Sequence, residues 1–241
     1  MVPIIAGNWK MNKDLVESRS LVQKLLELAG DVENREIILI PPFTSLLSVG
    51  EIIRNSRFKL GAQNMHWERS GAYTGEISGV FLKSVGCEYV VIGHSERRHI
   101  MGETDEIINK KLKTALEIGL IAIFCFGETE AEQEQGRTEK VISRQLGLGL
   151  KDIENEVHKI IFAYEPVWAI GTGKTATPKQ ASETHSFIRK QLRKPITILY
   201  GGSVNAENID SLMAESEING VLVGGASLKP ENFARIIKFT G

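Results

Sequence analysis

The sequence has only two cysteines, Cys87 and Cys125, in 241 residues. They form no CxxC pair and sit in apolar runs, which fits buried thiols in a reducing compartment and argues against a disulfide or metal framework. Prolines number seven, and no Pro- or Ser-rich stretch marks a linker between domains. No apolar run approaches the about 18 residues that a membrane span requires. The opening MVPIIAGNWK reaches Asn8 and Lys10 too soon for a signal-peptide core. Excess charge is missing as well: 29 Lys and Arg stand against 30 Asp and Glu, a net charge of -1. With the basic residues scattered, no binding to nucleic acid or to an anionic membrane is expected. The densest basic cluster, Lys110-Lys111-Leu112-Lys113, reads as the solvated face of a helix. A cytoplasmic location is expected.

What is present is a repeated pattern. Near-continuous apolar runs occur at 3–8, 36–42, 58–64, 89–95, 121–127, 160–166, 196–202 and 220–225. Runs that do not alternate belong to parallel strands covered on both faces. Charged stretches with helical spacing separate them. In 14–30, Leu21, Leu25 and Ala29 share a stripe, with Val22 and Leu26 beside it. Thr177-Pro178-Lys179-Gln180 offers an N-cap threonine, a proline at the first helical position and a glutamine at the third, and Thr129 to Glu132 is a second capping box. Strand beginnings recur at roughly thirty residues, the length of one βα unit. The pattern predicts an α/β fold over 1–241 as a single domain: a closed (β/α)8 barrel of eight parallel strands with outer helices. The rival is an open doubly wound sheet, but the first strand–helix turn, AGNWKMN, lacks the GxGxxG of a dinucleotide fold.

In a barrel of this kind the chemistry sits at the C-terminal ends of the strands. Those ends carry Asn8 and Lys10, Gln63 and Asn64, His94 and Glu96, Glu165, Gly201-Gly202-Ser203, and Gly224-Gly225. A carboxylate after the apolar run IIFAY is costly to bury unpaired, so Glu165 must face a cavity or solvent. It is either a structural acid closing the barrel end or, partly desolvated, a general base. His94 precedes SERR and a helical pattern, and a helix N-terminus beside the ring favours neutral imidazole. By itself, a histidine at a strand end is more often hydrogen-bonded scaffold than catalyst. No second ligand stands at metal spacing, so no metal is expected. Lys10 can be a surface lysine, a fixed positive charge or a Schiff-base former. The glycine turns after the seventh and eighth strands, with Ser203, suit a phosphate held by backbone N–H groups.

Two connections are long, 65–78 and 166–176, and such loops serve as lids, binding loops or interfaces. The second ends in GTGKT, like the tail of a P-loop. The glycine that motif needs five positions before Gly173 is Trp168, so no nucleoside triphosphate site is expected. At this level a catalytic barrel, a non-catalytic phosphate-binding barrel and another phospho-sugar barrel enzyme, such as a Schiff-base aldolase, all remain open.

AGNWKMN, GHSERR, GETDE, AYEPVWAIGTGKTAT, YGGSV and VGGASL occur in the order and approximate spacing of the triosephosphate isomerase family, which the whole chain resembles. The resemblance implies the TIM barrel fold and a glycolytic isomerase that interconverts dihydroxyacetone phosphate and D-glyceraldehyde 3-phosphate through an enediolate, with no cofactor. It implies Glu165 as base, neutral His94 as electrophile and proton shuttle, and Lys10 as positive charge for the anionic substrate. Asn8 would position from the same turn, and Glu96 matches the acid that organises these groups. N–H groups of Gly171, Ser203, Gly224 and Gly225 would hold the phosphate. Residues 166–176 would form a lid, hinged at Pro166, with Trp168, Ala169 and Ile170 covering the substrate. The 65–78 loop with Thr74 resembles the family's dimer loop and implies a homodimer, the tip inserting near the partner's Asn8–Lys10 turn. The chain departs from the family at Phe126, where isoleucine or leucine is usual, and at Met101, where phenylalanine is common. Both departures bear on packing. Cys125 matches a family cysteine near the base and is read as packing, not as a nucleophile.

Overall fold

A computed structural model of the chain describes residues 2–170 and 175–240. The strands are β1 (Ile4–Asn8), β2 (Glu36–Ile40), β3 (Lys59–Ala62), β4 (Tyr89–Ile92), β5 (Ile121–Phe126), β6 (Ile161–Tyr164), β7 (Thr197–Tyr200) and β8 (Gly220–Val223). They pair in parallel and in sequence order, and β8 returns to β1 with Val221 opposite Ile5, which closes the barrel. The helices are α1 (Leu15–Ala29), α2 (Leu46–Ile53), α3 (Gly79–Ser84), α4 (Ser95–His99), α5 (Asp105–Ile118), α6 (Glu130–Glu134), α7 (Thr138–Gly149), α8 (Pro178–Leu192), α9 (Ile209–Met213) and α10 (Pro230–Ile237).

Alternation along each strand builds two cores. Ala6, Ile38, Ile40, Val91, Ile123 and Ala163 belong to the cluster that fills the barrel, while Ile5, Leu39, Phe124 and Phe162 join the layer beneath the helices. Burial on both faces is why the strands read as apolar runs without alternation. Glycine appears where strands must yield space. A Cβ on Gly61 would lie 3.0 Å from Ile40 and 3.3 Å from Tyr89. That room lets the Tyr89 ring enter the barrel, where its hydroxyl donates to Glu36 Oε1 at 2.6 Å.

The α1 stripe is buried at Leu21, Val22, Leu25 and Ala29, whereas Leu26 is only half-buried. Buried Ser18 extends the stripe by one turn, with its hydroxyl paired to Ser45 Oγ at 3.0 Å. Capping boxes open α6 at Thr129 and α8 at Thr177.

One sequence expectation fails. Lys111 is not on a solvated face: it is 3% exposed, on the inner side of α5 between Ile108, Leu112 and Ala115. Its ammonium donates to Glu103 Oε1 at 2.5 Å and to Asn64 Oδ1 at 2.8 Å. Burial lowers the lysine's pKa against the opposing pull of Glu103. The run of charges shows in the sequence; the partners that make burial tolerable come from other elements.

Both cysteines are free and buried. No described helix is long and apolar enough to cross a membrane.

His185, fully buried on α8, stacks edge-on against Tyr164, and its Nδ1 lies 3.1 Å from the Glu217 carbonyl. Burial pushes its pKa down from 6.5 to about 4. A histidine depressed in the folded state stabilises the fold fully above pH 6.5, and that contribution is lost as pH falls towards 4. The loss amounts to about 3 kcal/mol at the lower end. Urea unfolding at pH 7 and near pH 4 will show a smaller acid loss in His185→Asn, which can still donate to the same carbonyl. Equal acid losses in the two proteins would clear His185 of this role.

Candidate active site

The end of β1 is held by its own side chains. Asn8 Oδ1 accepts the Lys10 N–H at 3.0 Å, and Lys10 adopts φ +53°, a left-handed conformation unfavourable for a side-chain-bearing residue. Gln63, from the end of β3, donates Nε2–H to the Lys10 carbonyl at 2.7 Å and so holds that turn from the neighbouring strand. The strained turn swings the Lys10 ammonium across the barrel mouth to Glu96 Oε1, 2.6 Å away.

At the end of β4, His94 is the N-cap residue of α4. Its Nδ1 accepts the Glu96 N–H at 3.3 Å. A nitrogen accepting from a backbone N–H carries no proton, so in the neutral ring the proton sits on Nε2. The same contact leaves Nδ1 without a proton to give the Glu96 carboxylate, although Oε2 lies only 3.6 Å away. Nε2 faces Glu165 Oε1 at 3.3 Å, and the other carboxylate oxygen accepts the Ser95 N–H at 2.8 Å. Glu165 is 1% exposed, and its backbone N–H is anchored to the Phe126 carbonyl at 2.8 Å. Buried Cys125 has its thiol pKa raised well above the ordinary value, first by burial and then by Glu165, so it stays a thiol and packs.

Asn8, Lys10, His94 and Glu165 open into one cavity of about 300 Å³, which Ser203, Gly224 and Gly225 also line. Glu96 reaches this group through Lys10, and Gly171 lies outside the described residues. The glycines after β7 have a steric reason. A Cβ on Gly201 would sit 2.8 Å from Glu165 Cγ, and one on Gly202 would sit 2.2 Å from the Tyr200 hydroxyl. Only bare backbone lets this turn pass so close to the carboxylate.

Two residues of this region were not singled out in the sequence. Glu128, 1% exposed after β5, accepts from Trp168 Nε1 at 2.9 Å and from the Tyr164 hydroxyl at 3.1 Å. Burial raises its pKa, and these donors work in the opposite direction. It thereby ties down the first turn of the 166–176 segment, a 3-10 turn at Val167–Ala169, while Ile170 reaches the cavity. Gln145 brackets Gly127, taking its N–H at 2.8 Å and donating to its carbonyl at 3.2 Å. Glu128 carries the same signal as Glu165, an acid closing an apolar strand. Gln145 lies in a helix and gives no signal.

The 65–78 loop is ordered by its own contacts. The His66 ring stacks on Trp67 at 4.0 Å and lies 4.6 Å from Tyr73, and the loop closes with an N–H bond from His66 to the Ile77 carbonyl at 2.8 Å. Thr74 is exposed at its tip.

A protein-family model described as triosephosphate isomerase matches residues 3–240. Similar curated proteins carry the same name: one from Dictyoglomus thermophilum is 51% identical over 98% of this chain and 98% of its own length. One from Aquifex aeolicus is 51% identical over 97% of this chain and 98% of its own length. One from Synechocystis is 50% identical, with 98% of each chain covered.

Proposed function

The chain belongs to the triosephosphate isomerase family and interconverts dihydroxyacetone phosphate and D-glyceraldehyde 3-phosphate, a step of glycolysis, and from that premise we propose how its residues divide the work. Glu165 is the base. It takes a proton from the hydroxyl-bearing carbon of dihydroxyacetone phosphate, and the electron pair moves onto the neighbouring carbonyl oxygen to give an enediolate. His94, neutral, donates its Nε2 proton to that oxygen and then takes the proton of the neighbouring hydroxyl, so the ring ends neutral; Glu165 returns its proton to the former carbonyl carbon, which leaves the aldehyde on the first carbon. The observation that carries this assignment is the 3.3 Å approach of His94 Nε2 to Glu165 Oε1 over a shared cavity. With substrate between them, an Nε2 proton at the cavity wall can meet the charge that develops on the carbonyl oxygen.

Lys10 opposes the negative charge of substrate and enediolate, Asn8 holds its turn, and Glu96 sets both the Lys10 ammonium and, through its N–H, the His94 tautomer. N–H groups of Gly171, Ser203, Gly224 and Gly225 bind the phosphate. Pro166 to Ala176 closes as a lid that excludes water, which strengthens these electrostatics and protects the enediolate. Support for the lid is the position of Ile170 at the cavity and of Trp168 on Glu128. Residues 1–241 act as one domain without cofactor, and two free buried thiols fit the cytoplasm. A coupled isomerase assay on wild type beside Glu165→Ala checks the central role. Turnover in wild type with none in the variant is expected, and an active variant would reassign the base.

The functional unit is a homodimer through the 65–78 loop with Thr74. Supporting it, Met11 is 96% exposed beside Lys10, an apolar side chain that a second copy would cover. Thr74→Arg will weaken the dimer and the activity together, read by sedimentation and turnover on the same samples. A fully active monomeric wild type would contradict the dimer.

A further inference from the structure

We infer that Asn208 is a positioning residue for the phosphate loop after β7, acting through a side-chain clamp; the inference rests on phosphate binding by that loop, as proposed above. Its amide bonds in both directions. Nδ2 donates to the Ser203 carbonyl at 3.0 Å, and Oδ1 accepts the Asn205 N–H at 2.9 Å. Asn205 reciprocates, its Oδ1 accepting the Asn208 N–H at 2.8 Å. The two asparagines hold each other across the turn.

The position makes this use of the side chain informative. Asn208 occupies the N-cap of α9, where an asparagine ordinarily accepts from the helix's own N–H groups, yet it makes no capping bond. Its amide is turned back onto the loop. Ser203, Val204 and Asn205 line the cavity that also holds Glu165 and Lys10, and Asn208 does not. It can affect a ligand there only through the residues it clamps.

The loop needs such a constraint because Gly201 and Gly202 precede it, and glycine leaves the backbone free to rotate. A Ser203 carbonyl turned inward would oppose a bound anion. The Asn208 donor holds that carbonyl and so fixes the peptide plane that follows the Ser203 N–H assigned to the phosphate. The work calls for a donor and an acceptor at the end of one short side chain, which an amide provides and a carboxylate or a methyl does not.

The test uses the coupled assay with inorganic phosphate as inhibitor of the full chain. Asn208→Ala will raise KM for triose phosphate and the inhibition constant of phosphate by the same factor, about three- to tenfold, with kcat within about twofold. Asn208→Asp keeps the acceptor, loses the donor and adds a negative charge, so both constants will rise further and the excess will shrink with added salt. A role confined to stability would lower the melting temperature of both variants and leave KM and the inhibition constant unchanged; that result overturns the clamp. Wild type that phosphate does not inhibit competitively would overturn the phosphate reading, and the clamp with it. Competitive inhibition of wild type with unaltered constants in Asn208→Ala overturns the clamp alone.

Discussion

Glu165→Asp will cut kcat by about a hundredfold or more while changing KM less, the scale at which a positioned general base contributes. The substitution keeps the charge and removes one methylene. In the folded chain the carboxylate is fixed at two points, Ser95 N–H at 2.8 Å and His94 Nε2 at 3.3 Å, with the backbone tied to Phe126. A shorter acid cannot hold the Ser95 contact and still reach the carbon that loses its proton. Since the Ser203, Gly224 and Gly225 side of the cavity is untouched, ground-state binding should be largely retained. Steady-state kinetics in both directions measures the split. Turnover equal to wild type would mean that another group is the base.

His94→Asn is expected to lower kcat by about a hundred- to a thousandfold, the range for loss of one donor aimed at developing oxyanion charge. Asparagine is the discriminating choice. Its short amide can still accept the Glu96 N–H at the head of α4, so the helix start and the Lys10–Glu96 pair at 2.6 Å persist. The Nε2 donor is lost. Unfolding curves matching wild type, beside the kinetic loss, would assign the effect to proton donation. A variant with near-normal kcat would show that the enediolate oxygen is served by another donor, such as Lys10 in the same cavity.

Much of this was legible in the sequence for a physical reason: parallel strands buried on both faces write uninterrupted apolar runs, and the residues closing them are polar only at the rim. The run at 36–42 overshoots β2, which ends at Ile40, because Pro41 and Pro42 have no N–H to continue the ladder. Asn8, Lys10, His94 and Glu165 could be placed at strand ends, and the cavity brings them together. What the sequence hid depends on partners from distant elements. Lys111 reads as solvated until Glu103 and Asn64 are seen beside its ammonium. Glu128 shows its charge but not the indole and phenol it holds, and Ser18 breaks an apolar stripe that it in fact extends. The turn at Lys10 is hidden in part: the Asn8 contact is a local Asx turn, but the Gln63 contact that holds it from β3 has no local signature.

Hydrogen exchange at carbon is the most direct measurement of what Glu165 does. Dihydroxyacetone phosphate incubated with the protein in heavy water will take up deuterium at the hydroxyl-bearing carbon, followed by NMR. Glu165→Ala, folded and still inhibited by inorganic phosphate, will leave that carbon unlabelled on the same timescale. Labelling by the alanine variant at the wild-type rate would show that some other group moves the proton.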